Sequence, residues 1–308
     1  MRNSLMRLGF PTVTAIAVAL SGLGAGTATA DAPLPYHIDW SLAAAAASAP
    51  ATIDQNVIPP GANDWNCKPT ALHPDPVILL SGINVGPGLN FMNLSPLLKN
   101  NSYCVFTLTY GVGGPLRRPG FTDVRDVAAT ELAPFVDKVL AATGAAKVDF
   151  LGHSEGTIMP RWYLNKLGGD RKVARSVNLT PMWQGTTIFG VATPANAEAL
   201  KPLIPNADTF VSGSEYLNEV NSGEPFPRNV EFTSIVTIYD EEAVPYTTGI
   251  APAGPNISNI ILQNTCPTDL VEHNLIAVDP VTAQFVLNAL DPAHAVPVDC
   301  TGVPGNSG

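Results

Sequence analysis

The stretch VDFLGHSEGTIMPRWYL, residues 148–164, constrains the fold of this chain more than any other. An apolar run, Val148 to Leu151, meets Gly-His-Ser-Glu-Gly and then a helix-like segment. A strand, a G-x-S-x-G turn and a helix in that order form a nucleophile elbow, which lifts a serine hydroxyl out of a sharp turn. The serine is Ser154, and a side chain on Gly152 or Gly156 would clash with the neighbouring strand and helix. The pattern alone is cheap, with about 0.1 copies expected by chance in a chain of this length. Its surroundings therefore have to carry the assignment.

Those surroundings alternate strand-like and helix-like patterns. Val77-Ile78-Leu79-Leu80 has the length and continuous apolarity of a buried parallel strand and exits into Ser81-Gly82-Ile83-Asn84. Asn90 to Leu98 reads as a short helix and Tyr103 to Thr109 as the next strand. Val124, Val127, Ala128, Leu132, Phe135 and Val139 recur at helical spacing, with Gly144 as the end signal and a kink or break expected at Pro134. The helix after the elbow should end at Gly168-Gly169. Further strands are expected at Val173 to Leu179, Val230 to Ile238 and Asn256 to Leu262, and a closing helix over 281–290. Alternation of this kind predicts an α/β domain with a mostly parallel sheet flanked by helices. Residues 181–229 are loop-rich, with short helical pieces at Ala195 to Leu200 and Glu215 to Val220, and are the place for a substrate-covering cap or an acyl-pocket wall.

The 308 residues carry a formal charge of −10 with no basic cluster, which excludes nucleic-acid binding, since phosphate contacts need a Lys/Arg footprint. Residues 1–30 read as a signal peptide: Arg2 and Arg7, an apolar core from Val13 to Leu20, and Ala28-Thr29-Ala30 before Asp31. That core is too short to span a bilayer, and no later run of 18 apolar residues follows it. Residues 31–66, rich in Pro and Ala with a helix-prone run from Ala43 to Ala47, read as an arm laid over a domain covering 67–308. Export makes the four cysteines candidates for disulfides. Three pairings exist, and the local ones are favoured because Cys67 and Cys104 bracket the first strand region and Cys266 and Cys300 the last. A zinc site is the weaker reading, without a Cys-x-x-Cys or clustered histidines.

A serine hydroxyl needs a base, and the base an orienting acid. Behind an elbow of this type the chain order is serine, acid, histidine. Only His273 and His294 follow Ser154, and His294 lies in a Pro-rich tail, so His273 is the expected base. His37 and His73 precede the nucleophile, and the turn should point His153 elsewhere. Asp240, at the C-terminal end of an expected strand, is the expected acid, with Glu241, Glu242, Asp269 and Asp279 as competitors. The oxyanion hole should use the amide of Glu155 and one from the first strand's turn, for which Ile83 is the choice.

Taken together, NDWNCKPTALHPDPVILLSG, YCVFTLTYG, VDFLGHSEGTIMPRWYL, TPMWQGTT, YDEEAVPYT and EHNLIAVDP resemble the secreted actinobacterial lipases of lipase class 2, over about residues 55–300. The resemblance implies an α/β-hydrolase fold acting on acylglycerols and other carboxylic esters. It implies Ser154 as nucleophile, Asp240 as acid and His273 as base, and it supports the pairs Cys67–Cys104 and Cys266–Cys300. Two positions depart from the family's pattern: Ser81-Gly82 stands where His-Gly is usual, and Glu155 where Gln is more frequent. The expectation is a secreted serine ester hydrolase for lipid-like substrates, met free or at a lipid–water interface. That chemistry requires no metal and no organic cofactor. The alternatives are a short-chain carboxylesterase, a cutinase-like polyester hydrolase, or a non-catalytic envelope-binding protein with the same fold, which the two departures favour.

Overall fold

A computed structural model describes residues 36–41, 54–187, 192–193, 195–202 and 205–301. The expected leader over 1–30 and the Ala43 to Ala47 run lie outside the described residues. Six strands form one sheet, all parallel: β1 (Val77–Leu80), β2 (Val105–Thr107), β3 (Val148–His153), β4 (Val173–Leu179), β5 (Glu231–Val236) and β6 (Ile257–Ile261). Their order is β2-β1-β3-β4-β5-β6.

Helices cover both faces, and the strands show why. Ile78 and Leu80 of β1 point into one apolar cluster and Val77 and Leu79 into the other, the period-2 alternation of a strand buried on both sides. The first cluster receives Phe106 and Phe150 from the sheet, then Val136 and Val139 of helix α2 (Ala133–Thr143) and Ile158 and Leu164 of helix α3 (Glu155–Lys166). The second receives Leu97 and Leu98 of α1 (Leu94–Asn100) with Phe285 and Val286 of α5 (Pro280–Leu290). The remaining labelled helix, α4 (Glu215–Val220), places Leu217 and Val220 in the first cluster. Full burial of each such side chain stabilises the fold by about 1.5–3 kcal/mol, before the entropy of ordering is subtracted.

Local departures from expectation have identifiable causes. The helix expected over Asn90 to Leu98 is broken into Pro87–Asn90 and Leu94–Asn100, because the Asn90 side chain is drawn inward to accept from the Gly82 N–H. The break expected at Pro134 falls one turn earlier, where the α-helical run Val124–Val127 stops before α2 begins at Ala133. The turn before it, Ala128–Leu132, is a π-helix, and the Ala133 N–H bonds the Ala128 carbonyl, so the chain enters α2 with its proline in the first turn. Gly144 ends α2 in the left-handed conformation, as expected. Residues 54–66 run beside β2: Ala62 bridges to Val105, and the Asn63 amide side chain exchanges two hydrogen bonds with the Thr107 backbone. Farther upstream, Ile38 is buried in the second cluster and Tyr36 exchanges hydrogen bonds with the Asn100 side chain.

The cysteines pair as Cys67–Cys104 and Cys266–Cys300. Sequence separations of 37 and 34 residues correspond to loop-closure entropies of about 4 kcal/mol each. Replacing Cys67 and Cys104 by serine is expected to lower the unfolding free energy by about 3–4 kcal/mol, read from the urea midpoint at unchanged m. A loss below about 1 kcal/mol would show that the denatured chain is already restricted there.

Candidate active site

The strand order sets the position of the site. β2 lies on one side of β1 and β3 on the other, so a crevice opens at the C-terminal ends of β1 and β3, where open parallel sheets bind ligands. Leu80 is in register with Gly152, which brings the turn after β1 against the elbow after β3. Ser154 takes φ +53 and ψ −120, a conformation that side chains rarely adopt, and begins α3. The elbow glycines are sterically required. A Cβ on Gly152 would strike the Gly156 carbonyl, and one on Gly156 the carbonyls of Leu80 and Ser81. Backbone atoms cannot move aside as a side chain can.

The structure brings Ser154, His273 and Asp240 together in a hydrogen-bonded series. His273 Nε2 is 2.9 Å from Ser154 Oγ, and His273 Nδ1 is 2.9 Å from Asp240 Oδ1. Both His273 and Ser154 are buried. Burial disfavours the His273 imidazolium, but the Asp240 hydrogen bond and charge, joined by Glu242 and Glu241, outweigh it, and its pKa lies above the ordinary imidazole value. Asp240 is itself fixed, since Oδ1 also accepts from the amides of Glu242 at 3.0 Å and Ala243 at 2.7 Å.

The competing acids are occupied otherwise. Glu241 accepts from the His273 backbone amide at 3.3 Å, and Glu242 lies 3.7 Å from His273 Nε2. Asp269 accepts from the Val271 amide, and Asp279 caps α5. His294 is exposed and paired with Asp291, and His73 stacks on Tyr103.

His153 is turned away from Ser154 Oγ, as expected, but holds the site from behind. Its Nε2 lies 2.9 Å from the His273 carbonyl, and its Nδ1 2.9 Å from Asn90 Nδ2. One tautomer serves both contacts: Nε2–H donates to the carbonyl, and bare Nδ1 accepts from Asn90. Asn90 Oδ1 then accepts from the Gly82 N–H at 2.8 Å. Burial first, and then neighbouring His273, hold the His153 pKa down to about 3, which keeps this ring neutral. A chain of hydrogen bonds thus links the turn after β1 to the backbone of His273. Nothing in the sequence marks Asn90 for this part, and His153 is marked only by adjacency to Ser154. In the same turn the Tyr110 hydroxyl donates to the Ser81 carbonyl.

Among the described residues, no protein acceptor takes the amide N–H of Ile83 or of Glu155. Gly82, Ile83 and Asn84 share with Ser154 and His273 the lining of a cavity of about 690 Å³. Its remaining wall is mostly apolar, with Val85, Leu89, Met92, Phe121, Leu275 and Val278. No described residue of 181–229 contributes to this lining.

An all-parallel six-stranded sheet with helices on both faces and an elbow serine at its C-terminal edge is the α/β-hydrolase fold. Solved structures share it. Aspergillus fumigatus lipase B aligns with a TM-score of 0.61 at 19% identity, over 82% of this chain and 58% of that one. Paleococcus ferrophilus monoacylglycerol lipase aligns with a TM-score of 0.51 at 15% identity, over 71% of this chain and 95% of that one. This chain thus spans little more than half the length of the Aspergillus protein. The family model for lipase (class 2) matches residues 74–286, and the chain belongs to that family.

Proposed function

We propose that the protein is a secreted serine ester hydrolase that cleaves lipid-like carboxylic esters through an acyl-enzyme. The hydrogen-bonded series Ser154–His273–Asp240 at the apolar cavity carries this reading. Ser154 Oγ attacks the ester carbonyl while His273 Nε2 takes its proton, and Asp240 holds the Nδ1–H and offsets the imidazolium charge. The amides of Ile83 and Glu155 receive the oxyanion. His273 then returns its proton to the leaving alcohol. Water, deprotonated by His273 in turn, releases the acid and restores Ser154.

The walls at Leu89, Met92, Leu275 and Val278 suit an acyl chain, and about 690 Å³ is more than a short-chain ester needs. Secretion is supported by the signal-like residues 1–30 and by two disulfides. Among the described residues no helix is long and apolar enough to cross a membrane.

A fluorophosphonate should label the protein at Ser154, and turnover should rise along p-nitrophenyl esters from acetate towards palmitate. An optimum at acetate or butyrate would instead identify a short-chain carboxylesterase. Neither labelling nor hydrolysis would leave a non-catalytic binding protein and end the enzyme reading.

A further inference from the structure

Glu155 follows the nucleophile, and its side chain is used by no step above. The carboxyl is completely buried, and no ion pair reaches it among the described residues. Its hydrogen-bond partner among the described residues is Asn206, whose Nδ2 donates to Oε1 at 2.9 Å; Oε2 has none. The same Asn206 Nδ2 donates to the Gly120 carbonyl at 2.7 Å. Gly120 lies between the Glu155 carboxyl and the oxyanion turn: a Cβ there would meet Glu155 Oε2 on one side and Ile83 Cα at 3.0 Å on the other. The Asn84 N–H donates to the Pro119 carbonyl at 2.9 Å, and the Gly120 N–H to the Tyr110 carbonyl at 3.0 Å. Loop 119–120 is therefore clamped between the elbow residue and the turn that carries Ile83.

We propose that Glu155 works as a neutral carboxylic acid, a positioning residue that fixes loop 119–120, with Asn206, and thereby holds the Ile83 amide in line with the amide of Glu155 itself. One residue thus supplies one oxyanion donor from its backbone and sets the other with its side chain. This inference rests on the ester-hydrolase reading of Ser154.

The chemistry of the surroundings requires the neutral form. An ionised carboxylate sealed from water with one hydrogen bond and no cation is costly, so it takes up a proton instead. Burial pushes the Glu155 pKa well above the usual carboxylate range, and the Asn206 hydrogen bond offsets this only in part. The titratable groups around it do not reverse this. Tyr110, from the loop after β2, and Tyr216, from α4, are uncharged, and Glu131 beyond Tyr110 adds negative charge. The nearest cation on its own helix, Arg161, is turned to Asn221 Oδ1 and the Pro225 carbonyl. Arg125, near Tyr216, is held by Asp123 and Glu219.

The sign follows. Glu155 is neutral below its raised pKa and ionises above it, placing a negative charge beside the oxyanion and opening the clamp to water. In wild type kcat should fall on the alkaline side, by about tenfold per pH unit beyond that pKa. The test follows kcat against pH by pH-stat titration of an emulsified triglyceride, with folding monitored by circular dichroism. Glu155→Gln, which cannot ionise, should flatten the alkaline limb. Asn206→Ala should lower kcat by about tenfold or more with KM within about twofold, because one oxyanion donor removed outright costs on the order of 10²–10³.

An infrared readout is independent of turnover: the C=O band of a protonated carboxylic acid should vanish as pH rises in step with kcat. Burial also raises Asp149, to about 8 at the opposite end of β3 against Arg175, and, less enclosed, Asp75 and Asp279. An Asp149→Asn background removes its band. Should Glu155→Gln not fold, the infrared titration and Asn206→Ala decide. A wild type that hydrolyses no ester overturns this inference and the ester-hydrolase reading together. Hydrolysis with the same alkaline limb in wild type and Glu155→Gln, or a carboxylic band that does not titrate with kcat, overturns this inference alone.

Discussion

Ser154→Ala is expected to reduce ester turnover by about 10⁶ while leaving the protein folded. The size of the loss follows from how the site divides the work. Attack, proton transfer and charge compensation act as a unit, and without the nucleophile the base has nothing to deprotonate. On the proposed mechanism, what survives is ester binding and stabilisation of the oxyanion by the Ile83 and Glu155 amides, worth about 10³–10⁴ over water in enzymes of this design. Stability should change little, because the alanine inherits φ +53 and the same strain. The measurement is turnover on p-nitrophenyl butyrate with circular dichroism beside it, the active fraction being titrated by fluorophosphonate. A residual rate above about one per cent of wild type would mean that another group carries the acyl transfer.

Asp240→Asn should lower kcat by about 10³–10⁴. Asparagine preserves the shape of the loop, since its carbonyl can still accept from the Glu242 and Ala243 amides. The loss is therefore that of a negative charge against the developing imidazolium. A shift of the pH profile should accompany it. The raised pKa of His273 makes the imidazole a free base only above that value, so wild-type kcat/KM climbs with pH through a midpoint above the ordinary imidazole value of about 6.5. With Asp240 neutralised, burial is opposed only by the more distant Glu241 and Glu242, and the acid limb moves to lower pH. The mutant thus loses rate and gains tolerance of acid. Glu241→Gln and Glu242→Gln, both at half-buried positions, should stay within about tenfold of wild type. Loss at either comparable to that of Asp240→Asn would reassign the acid.

The elements legible in the sequence were those written in side-chain periodicity. Val173–Leu179 has the expected bounds, and Val77–Leu80 is buried as its continuous apolar run implied. Ser154, Asp240 and His273, the proposed nucleophile, acid and base, could be singled out because sheet topology restricts where such groups can stand. Their supports were not legible. Asn90, Tyr110 and Asn206 are ordinary polar residues of loops and helix ends, and they matter only because the fold brings them within hydrogen-bond reach of groups 8 to 86 residues away. The π-turn before Pro134 was equally hidden, since sequence shows that the proline disturbs a helix but not how the backbone absorbs it. Glu155 stood out as an acid in an unexpected place, but its surroundings come from residues 119–120 and 206.

The separation of Ser154 from His273 bears on how the molecule comes into being. The base joins the nucleophile across 119 positions, and every strand-to-strand link of a parallel sheet is a crossover. Contacts this remote in the chain are entropically late, and during synthesis they must wait for the final segment to emerge. A chain ending before residue 273 holds all six strands but lacks α5, which covers one face of the sheet, and has no imidazole to place beside the serine. On the proposed mechanism, hydrolytic competence would therefore be acquired late, once the segment carrying His273 has docked.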